Sequence, residues 1–272
     1  MSLLPKILFE IESPLSGKIR VIQDGKERRL VVGGLVQSIN ADAEDVEERI
    51  WGQLARVESG ELRVENALIL GLGGGTVAHL LTKKFGPIPI DGVEIDPLIV
   101  EIGKNFFDLG KLKNLNIIIG DAVDPISRQQ FNHLTIQPYD LVIVDLYCGS
   151  QYPKGAESDE FFAGLKNLTH PRGSIVFNRI STETDVKFEE KLRKTFCSFQ
   201  KKLVPSKFGG ENLVFKVLPS QKQGGGEEGG GVGTGHGADQ KSHDEPSDRC
   251  PTQKNQRQQH KNDCQRIVEV SD

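Results

Sequence analysis

Residues 67–81 read ALILGLGGGTVAHLL. Ala67 to Leu70 is an unbroken apolar run, the pattern of a strand buried on both faces. Gly71, Gly73, Gly74 and Gly75 interrupt it, and Thr76 to Phe85 has helical character. Glycines at this place let the backbone turn tightly and approach a ligand closely. The helix start beyond them presents free N–H groups and a partial positive charge. A short glycine motif also occurs as a plain turn, so its meaning depends on the chain around it.

Downstream, short apolar runs alternate with helical stretches. PIDGVE (89–94) is a second strand; Pro97 opens a helix whose buried stripe is Ile99, Ile102 and Phe106, with Asp96 as its cap. LNIIIG (115–120) and YDLVIVD (139–145) are the third and fourth strands, residues 157–168 are helical, GSIVFN (173–178) is the fifth strand, and 184–196 are helical. FQKKLV and NLVFKVL flank Gly209-Gly210 as an antiparallel closing pair. Strands alternating with helices predict an α/β fold with a doubly wound, mainly parallel sheet.

Upstream, KILFEIE, KIRVIQ, RRLVV and LVQSI are short strands separated by Pro14 and Gly17, by Asp24-Gly25 and by Gly33-Gly34. Asn40 or Asp42 caps an expected helix over 43–57, in which Val46, Ile50 and Leu54 recur at spacing four. The chain divides into an N-terminal β-rich domain (1–60), an α/β domain (61–218) and a tail (219–272). The tail holds seven apolar residues in 54, nine glycines and no aromatic, and is expected to be disordered.

The 272 residues carry a net charge of −4, which gives no electrostatic reason to expect nucleic acid or an acidic membrane as partner. No apolar run approaches the ~20 residues that cross a bilayer. The N-terminal stretch turns acidic too soon for a signal peptide. Cys148, Cys197, Cys250 and Cys264 show neither zinc-ligand nor disulfide-framework spacing. The expected setting is a soluble protein in the cytoplasm, with no metal.

Three acids stand where strands end. Glu94, 19 positions after Gly75, can accept the hydroxyls of a ribose; its bland alternative is a solvated strand-end acid. Asp121, in IIIGDAVD, can accept the exocyclic amine of adenine with the Ala122 backbone beside it, or merely cap a turn. Asp145, closing the fourth strand, can take a proton or hold an ammonium group. Together with the glycines these sites would converge on one crevice beyond the strand ends, which points to an adenosine-bearing ligand. A nicotinamide enzyme is the rival. The frame starting at Gly71 ends on Thr76 where Gly or Ala is needed, the frame Gly73-x-Gly75-x-x-Ala78 fits, and neither accounts for Asp121.

LGLGGGTVAHL, DGVEIDP, IIIGDA and YDLVIVD together resemble the class I S-adenosylmethionine-dependent transferase fold, in its spermidine synthase-like branch. GKIRVIQDGKERRLVVGGLVQSINADAED (17–45) is similar to the small N-terminal β-domain of aminopropyltransferases. The resemblance implies a donor, S-adenosylmethionine or its decarboxylated form, held by Gly71, Gly73, Gly75, Glu94 and Asp121, beside which the backbones of Thr76 and Ala122 complete the expected site. It implies Asp145 as the group that deprotonates an acceptor amine, Gln37 as an acceptor-side residue, and a homodimer formed through the N-terminal domain; Tyr147, beside Asp145, can line the acceptor pocket or simply pack.

Three positions depart from the family's pattern: Gly74 and Cys148 stand where it has aspartates, and Asp42-Ala43 where it has an Asp-Glu pair. A polyamine acceptor carries at least two ammonium groups, and a buried unpaired cation costs several kcal/mol. Glu157 and Asp159 are read as first-turn helix acids rather than as replacements. Methyl transfer depends mainly on proximity and in-line geometry and needs no dense acidic pocket. The expected function is therefore methyl transfer to a small-molecule or protein acceptor. The alternatives are an aminopropyltransferase of polyamine biosynthesis acting on a diamine such as putrescine, and a non-catalytic nucleoside binder. Trp51 is expected as core between the domains, His79 as a packing residue, Cys148 as a small filler, and His133 and His170 as loop residues.

Overall fold

A computed structural model describes residues 4–56, 63–124, 138–147, 151–181, 185–196 and 198–218. The expected tail from residue 219, with Cys250 and Cys264, lies outside these residues, as do Cys148, Cys197 and His133.

Four strands, β1 (Lys6–Ser13), β2 (Gly17–Asp24), β3 (Glu27–Val32) and β4 (Leu35–Ile39), form an antiparallel sheet in chain order. Val32 pairs with Leu35 around a two-residue turn whose Gly33 and Gly34 both have positive φ, 56° and 87°. A hairpin turn of that hand requires this, and only glycine adopts it without strain. Phe9, Ile19, Val21, Leu30 and Val32 cover one face and pack on Leu98, Ile99, Ile102 and Phe106 of a helix described below.

The second sheet holds β5 (Ala67–Leu70), β6 (Ile90–Glu94), β7 (Leu115–Ile119), β8 (Tyr139–Val144), β9 (Thr169–Ile180), β10 (Ser198–Pro205) and β11 (Glu211–Leu218), in the spatial order β10-β11-β9-β8-β5-β6-β7. The five strands from β9 to β7 are parallel, and the closing pair β10–β11 is antiparallel. Strand order reverses between β5 and β8, the switch point at which open α/β sheets leave a crevice.

Among the described residues the α-helices are α1 (Ile50–Leu54), α2 (Thr76–Phe85), α3 (Pro97–Phe106), α4 (Asp159–Leu168) and α5 (Asp185–Thr195). Side chains alternate across each strand. Ala67, Ile69, Leu141 and Ile143 therefore pack with α2 and Trp51 on one face, while Leu68, Leu70, Val142 and Val144 pack with α4 and α5 on the other. Both faces are covered, as the continuous apolar strands required.

The helix expected over 43–57 is a correction. Only α1 is α-helical there, and the chain before it turns through Asp45 at φ 60°. A Cβ on Gly52 would lie 2.2 Å from the Glu47 carbonyl oxygen, so these turns fold directly onto α1. Of the apolar positions at spacing four, Val46 and Leu54 are nonetheless buried and Ile50 is half-buried against the same core: the spacing marks the core-facing side, and the backbone reaches it by turns. Asn40 serves the sheet instead of a helix, its Oδ1 accepting from Arg28 N at 2.6 Å.

Candidate functional site

Register aligns the strand ends. Leu70 pairs with both Val93 and Val144, and Glu94 pairs with Ile119. Asp145, Gly71, Glu94 and Gly120-Asp121 therefore stand side by side at the carboxyl ends of β8, β5, β6 and β7, on strands about 4.8 Å apart. Backbone bonds tie the row together: Asp145 N donates to Leu70 O (2.8 Å), Leu72 N to Val93 O (2.9 Å) and Gly120 N to Glu94 O (2.9 Å). A more open depression at Arg63–Glu65 and Phe85–Pro89 lies at the opposite, amino ends of β5 and β6, and no residue of the row lines it.

The glycine loop turns from β5 into α2 with Gly71, Gly73 and Gly75 at φ of 93°, 56° and 92°. The close approach these glycines permit is to the protein itself. A Cβ at Gly71 would sit 2.0 Å from Asp145 O, at Gly73 2.9 Å from Ser38 Oγ, and at Gly75 2.3 Å from Leu109 Cδ1. Strand β4 clasps the loop: Gly74 N donates to Ser38 Oγ (2.8 Å), and Thr76 Oγ1 both donates to Ile39 O (2.6 Å) and accepts from Ile39 N (3.0 Å). The buried Thr76 side chain is thus committed to the N-terminal sheet, and its backbone remains at the start of α2, where helical N–H groups lack intrahelical partners.

Glu94 is buried, with Oε2 accepting from Gly73 N (2.9 Å) and Oε1 from Asp96 N (3.1 Å). Burial pushes its carboxyl up to about 7, because desolvation, with the nearby Asp96 charge adding to it, outweighs the backbone amides of Asp96, Gly73 and Ile95. Asp96 has a separate task. It caps α3 by accepting from Leu98 N (2.9 Å) and receives the hydroxyls of Ser13 (2.5 Å) and Ser16 (2.6 Å). Half-buried Asp121 accepts from Val123 N at 2.9 Å, the local turn its bland reading allowed, and Ala122 is buried in the α4 and α5 side of the core.

Beyond Asp145 lies a cleft of about 120 Å3 between β4, α1, the end of β9 and the β10–β11 turn. Gln37, Trp51, Asp145, Tyr147 and Asn178 line it. Burial raises the Asp145 carboxyl to about 6, held from going higher by Asn178 Nδ2, which donates to Oδ1 at 2.8 Å. The Tyr147 hydroxyl accepts from Ile180 N, and burial drives its own ionisation well above the usual range. Gln37 O accepts from Trp51 Nε1 at 3.2 Å.

The charge in this cleft is mixed. Arg49 and Lys207 line it together with Asp145 and the exposed Glu211. Glu157 is paired with Arg179 at 2.5 Å and Lys191 at 3.8 Å, and Asp159 with Lys194 at 3.0 Å. Neither acid lines the cleft. Asn178 and Arg49 went unrecognised in the sequence; the one signal for Asn178 was its place as the last polar residue of GSIVFN. Among the described residues no cluster of His, Cys, Asp and Glu could hold a metal ion.

No family model matches the chain. A polyamine aminopropyltransferase of Vibrio vulnificus is 30% identical over 161 residues, which cover 58% of this chain and 53% of that protein. An eEF1A lysine and N-terminal methyltransferase homolog of Drosophila pseudoobscura pseudoobscura is 27% identical over 144 residues, covering 50% of this chain and 21% of that protein. The chain thus spans about half the length of one curated relative and a fifth of the other. Among solved structures, a spermidine synthase in complex with the transition-state analogue AdoDATO superposes with a TM-score of 0.65 at 14% identity, over 80% of this chain and 75% of that one. With its parallel sheet closed by an antiparallel pair and its small N-terminal sheet docked on the glycine loop, the chain carries the class I S-adenosylmethionine-dependent methyltransferase fold in its spermidine synthase-like form.

Proposed function

We propose that this protein is an S-adenosylmethionine-dependent transferase and that the group it transfers is methyl. The observation that carries the proposal is the row of strand ends, with the glycine loop, Glu94 and Asp121 on one side and Asp145 opening into a cleft on the other. The donor set suits an adenosyl group: a dry carboxylate for a diol, a second acid one strand further, and free amides at a helix start. When bound, S-adenosylmethionine supplies an activated methyl group on a sulfonium. In this reading Glu94 accepts the ribose hydroxyls, Asp121 and the Ala122 backbone meet the adenine, and the backbone of Gly71, Gly73, Gly75 and Thr76 cradles the amino-acid part. Asp145 orients the acceptor or takes its proton, and Gln37 and Tyr147 flank it.

The charge of the cleft favours methyl over aminopropyl transfer. A diamine would bring two ammonium groups into a lining whose carboxylates are Asp145 and the exposed Glu211, Arg49 and Lys207 there being already paired with Glu27 and Asp45, and each uncompensated cation is costly. The Vibrio relative and the spermidine synthase structure favour the second reading, aminopropyl transfer from the decarboxylated donor to a diamine, which would place the protein in polyamine biosynthesis. A non-catalytic nucleoside binder is the third. The name of the Drosophila relative makes a protein amine a candidate acceptor beside small molecules. The division into an N-terminal domain (1–60), a nucleoside-binding domain (61–218) and a tail, a homodimer, and a cytoplasmic location belong to the same proposal. Among the described residues no helix is long and apolar enough to cross a membrane.

Calorimetry separates the readings. S-adenosylmethionine and S-adenosylhomocysteine are expected to bind, with Glu94→Ala weakening both by roughly tenfold or more through loss of a charged hydrogen-bond acceptor. Binding of NAD with none of the adenosyl compounds would overturn the proposal. Preference for the decarboxylated donor, with turnover of putrescine, would establish the second reading.

A further inference from the structure

We propose that Asn178 is the second polar arm of the acceptor site: its amide N–H aims Asp145, and its carbonyl oxygen takes an N–H of an amine nucleophile seated beside that carboxylate. The inference rests on the transferase reading and adds a residue and a nucleophile chemistry to it. Asn178 is 6% exposed, lines the cleft, and donates through Nδ2 to Asp145 Oδ1 at 2.8 Å. Its Oδ1 is buried without a hydrogen-bond partner among the described residues. An ionised carboxylate accepts and cannot donate, so the amide must turn its NH2 to Asp145, and that leaves the carbonyl oxygen as an orphan acceptor next to it.

Buried polar atoms are rarely left without partners, and an orphan in a cleft marks a place where a ligand atom belongs. The orphan accepts and Asp145 accepts, so the pair suits a group with at least two N–H bonds: a primary amine or its ammonium form. A hydroxyl or thiol has a single hydrogen to offer and would leave one of the two unanswered.

The neighbouring residues hold Asn178 in place. Its Cα faces Val214 across the β9–β11 ladder. The next residue, Arg179, is 4% exposed, its guanidinium lying 4.4 Å from the Tyr152 ring centre and 4.3 Å from that of Phe188, and it is paired with Glu157. Ile180 N donates to Tyr147. Three successive residues are thus anchored at the end of β9. The charged or titratable groups around Asp145 are Tyr147 and Tyr152, and across the cleft Arg49, Lys207 and Glu211.

The test uses the full chain, saturated with S-adenosylhomocysteine, and two substitutions. n-Butylamine and n-butanol are the probes, followed by NMR, and the Asp145 carboxyl is titrated by carbon NMR. Wild type is expected to bind the amine in preference to the alcohol. Asn178→Leu is expected to weaken the amine by about tenfold, the usual consequence of losing a hydrogen bond to a charged group, to leave the alcohol unchanged, and to move the Asp145 midpoint upward. Asn178→Asp keeps the acceptor and sets a second carboxyl beside Asp145, so it should retain amine binding while the pair shares a proton and titrates in two steps, the upper one above the wild-type midpoint. It also serves if the leucine variant does not fold. Equal binding of amine and alcohol by wild type, equal losses in both variants, or an unmoved Asp145 midpoint would overturn the proposal. Failure of wild type to bind S-adenosylhomocysteine would count against the transferase reading instead, and the Asp145 titration would still report on Asn178.

Discussion

Replacing Glu94 by Gln tests whether the carboxylate at the end of β6 is held dry. In the folded protein burial pushes this carboxyl to about 7 from an ordinary 4.5. Between those pH values the folded state keeps a proton that the unfolded chain has given up. Unfolding free energy then falls as pH rises through this window. The 2.5-unit shift, 7 minus 4.5, corresponds to about 3 kcal/mol at 1.36 kcal/mol per unit. Glutamine keeps the shape and cannot ionise. It places an NH2 where one of the Gly73 and Asp96 amides wants an acceptor, which costs about 1–3 kcal/mol, but this offset does not vary with pH. The measurable quantity is therefore a slope. Urea unfolding of both proteins, followed by the fluorescence of the buried Trp51, should show wild type losing about 3 kcal/mol relative to Glu94→Gln between pH 4.5 and 8. Asp145, raised from 3.8 to about 6 by its own burial, contributes in the same direction in both proteins and cancels in the difference. A difference that stays flat over this range would refute the reasoning, because it would mean that water or a counter-charge reaches Glu94.

The same group predicts a pH-dependent affinity. Ribose hydroxyls donate to the ionised form, so S-adenosylhomocysteine should bind more tightly as pH rises and level off above the Glu94 midpoint near 7. One unit below that midpoint its affinity should be about tenfold weaker, and Glu94→Gln should flatten the calorimetric profile. Gly71→Ala places a Cβ 2.0 Å from the Asp145 carbonyl oxygen at φ 93°. Left-handed strain and overpacking together should cost about 2–5 kcal/mol, read as a fall in thermal midpoint with loss of nucleoside binding; an unchanged midpoint would contradict the loop geometry. Asp96→Ala removes the cap of α3 and the acceptor of two serine hydroxyls, and should cost about 2–4 kcal/mol in denaturant unfolding. A change below about 0.5 kcal/mol would show that the link between the N-terminal sheet and α3 carries little.

Most strand and helix positions in the α/β part were legible because their boundaries are chemical; β9 instead begins at Thr169 and takes in His170, expected in a loop. Thr76 to Phe85 and Pro97 to Phe106 begin where Gly75 and Asp96-Pro97 make a helix start. The turns before α1 were not legible, because Asp45 at positive φ and the contact between Gly52 and Glu47 are tertiary facts that the spacing of Val46, Ile50 and Leu54 does not encode. The acids at 94, 121 and 145 could be found because each directly follows an apolar run. Asn178 closes its run in the same way but is uncharged, and its importance arises only across the ladder, where β9 lies beside β8. The glycines teach the complementary lesson. Their pattern reads as a cradle for a ligand, yet the space opposite Gly71, Gly73 and Gly75 is filled by Asp145, Ser38 and Leu109. Packing alone would demand these glycines even in a protein that binds nothing. What makes the loop informative about ligand chemistry is therefore the carboxylate wired to it: Glu94 accepts from the Gly73 amide and is kept dry at a cost in stability. That carboxylate fixes the loop through the Gly73 and Asp96 amides, and a hydrogen-bond donor from outside that met its charge would offset the cost of keeping it dry.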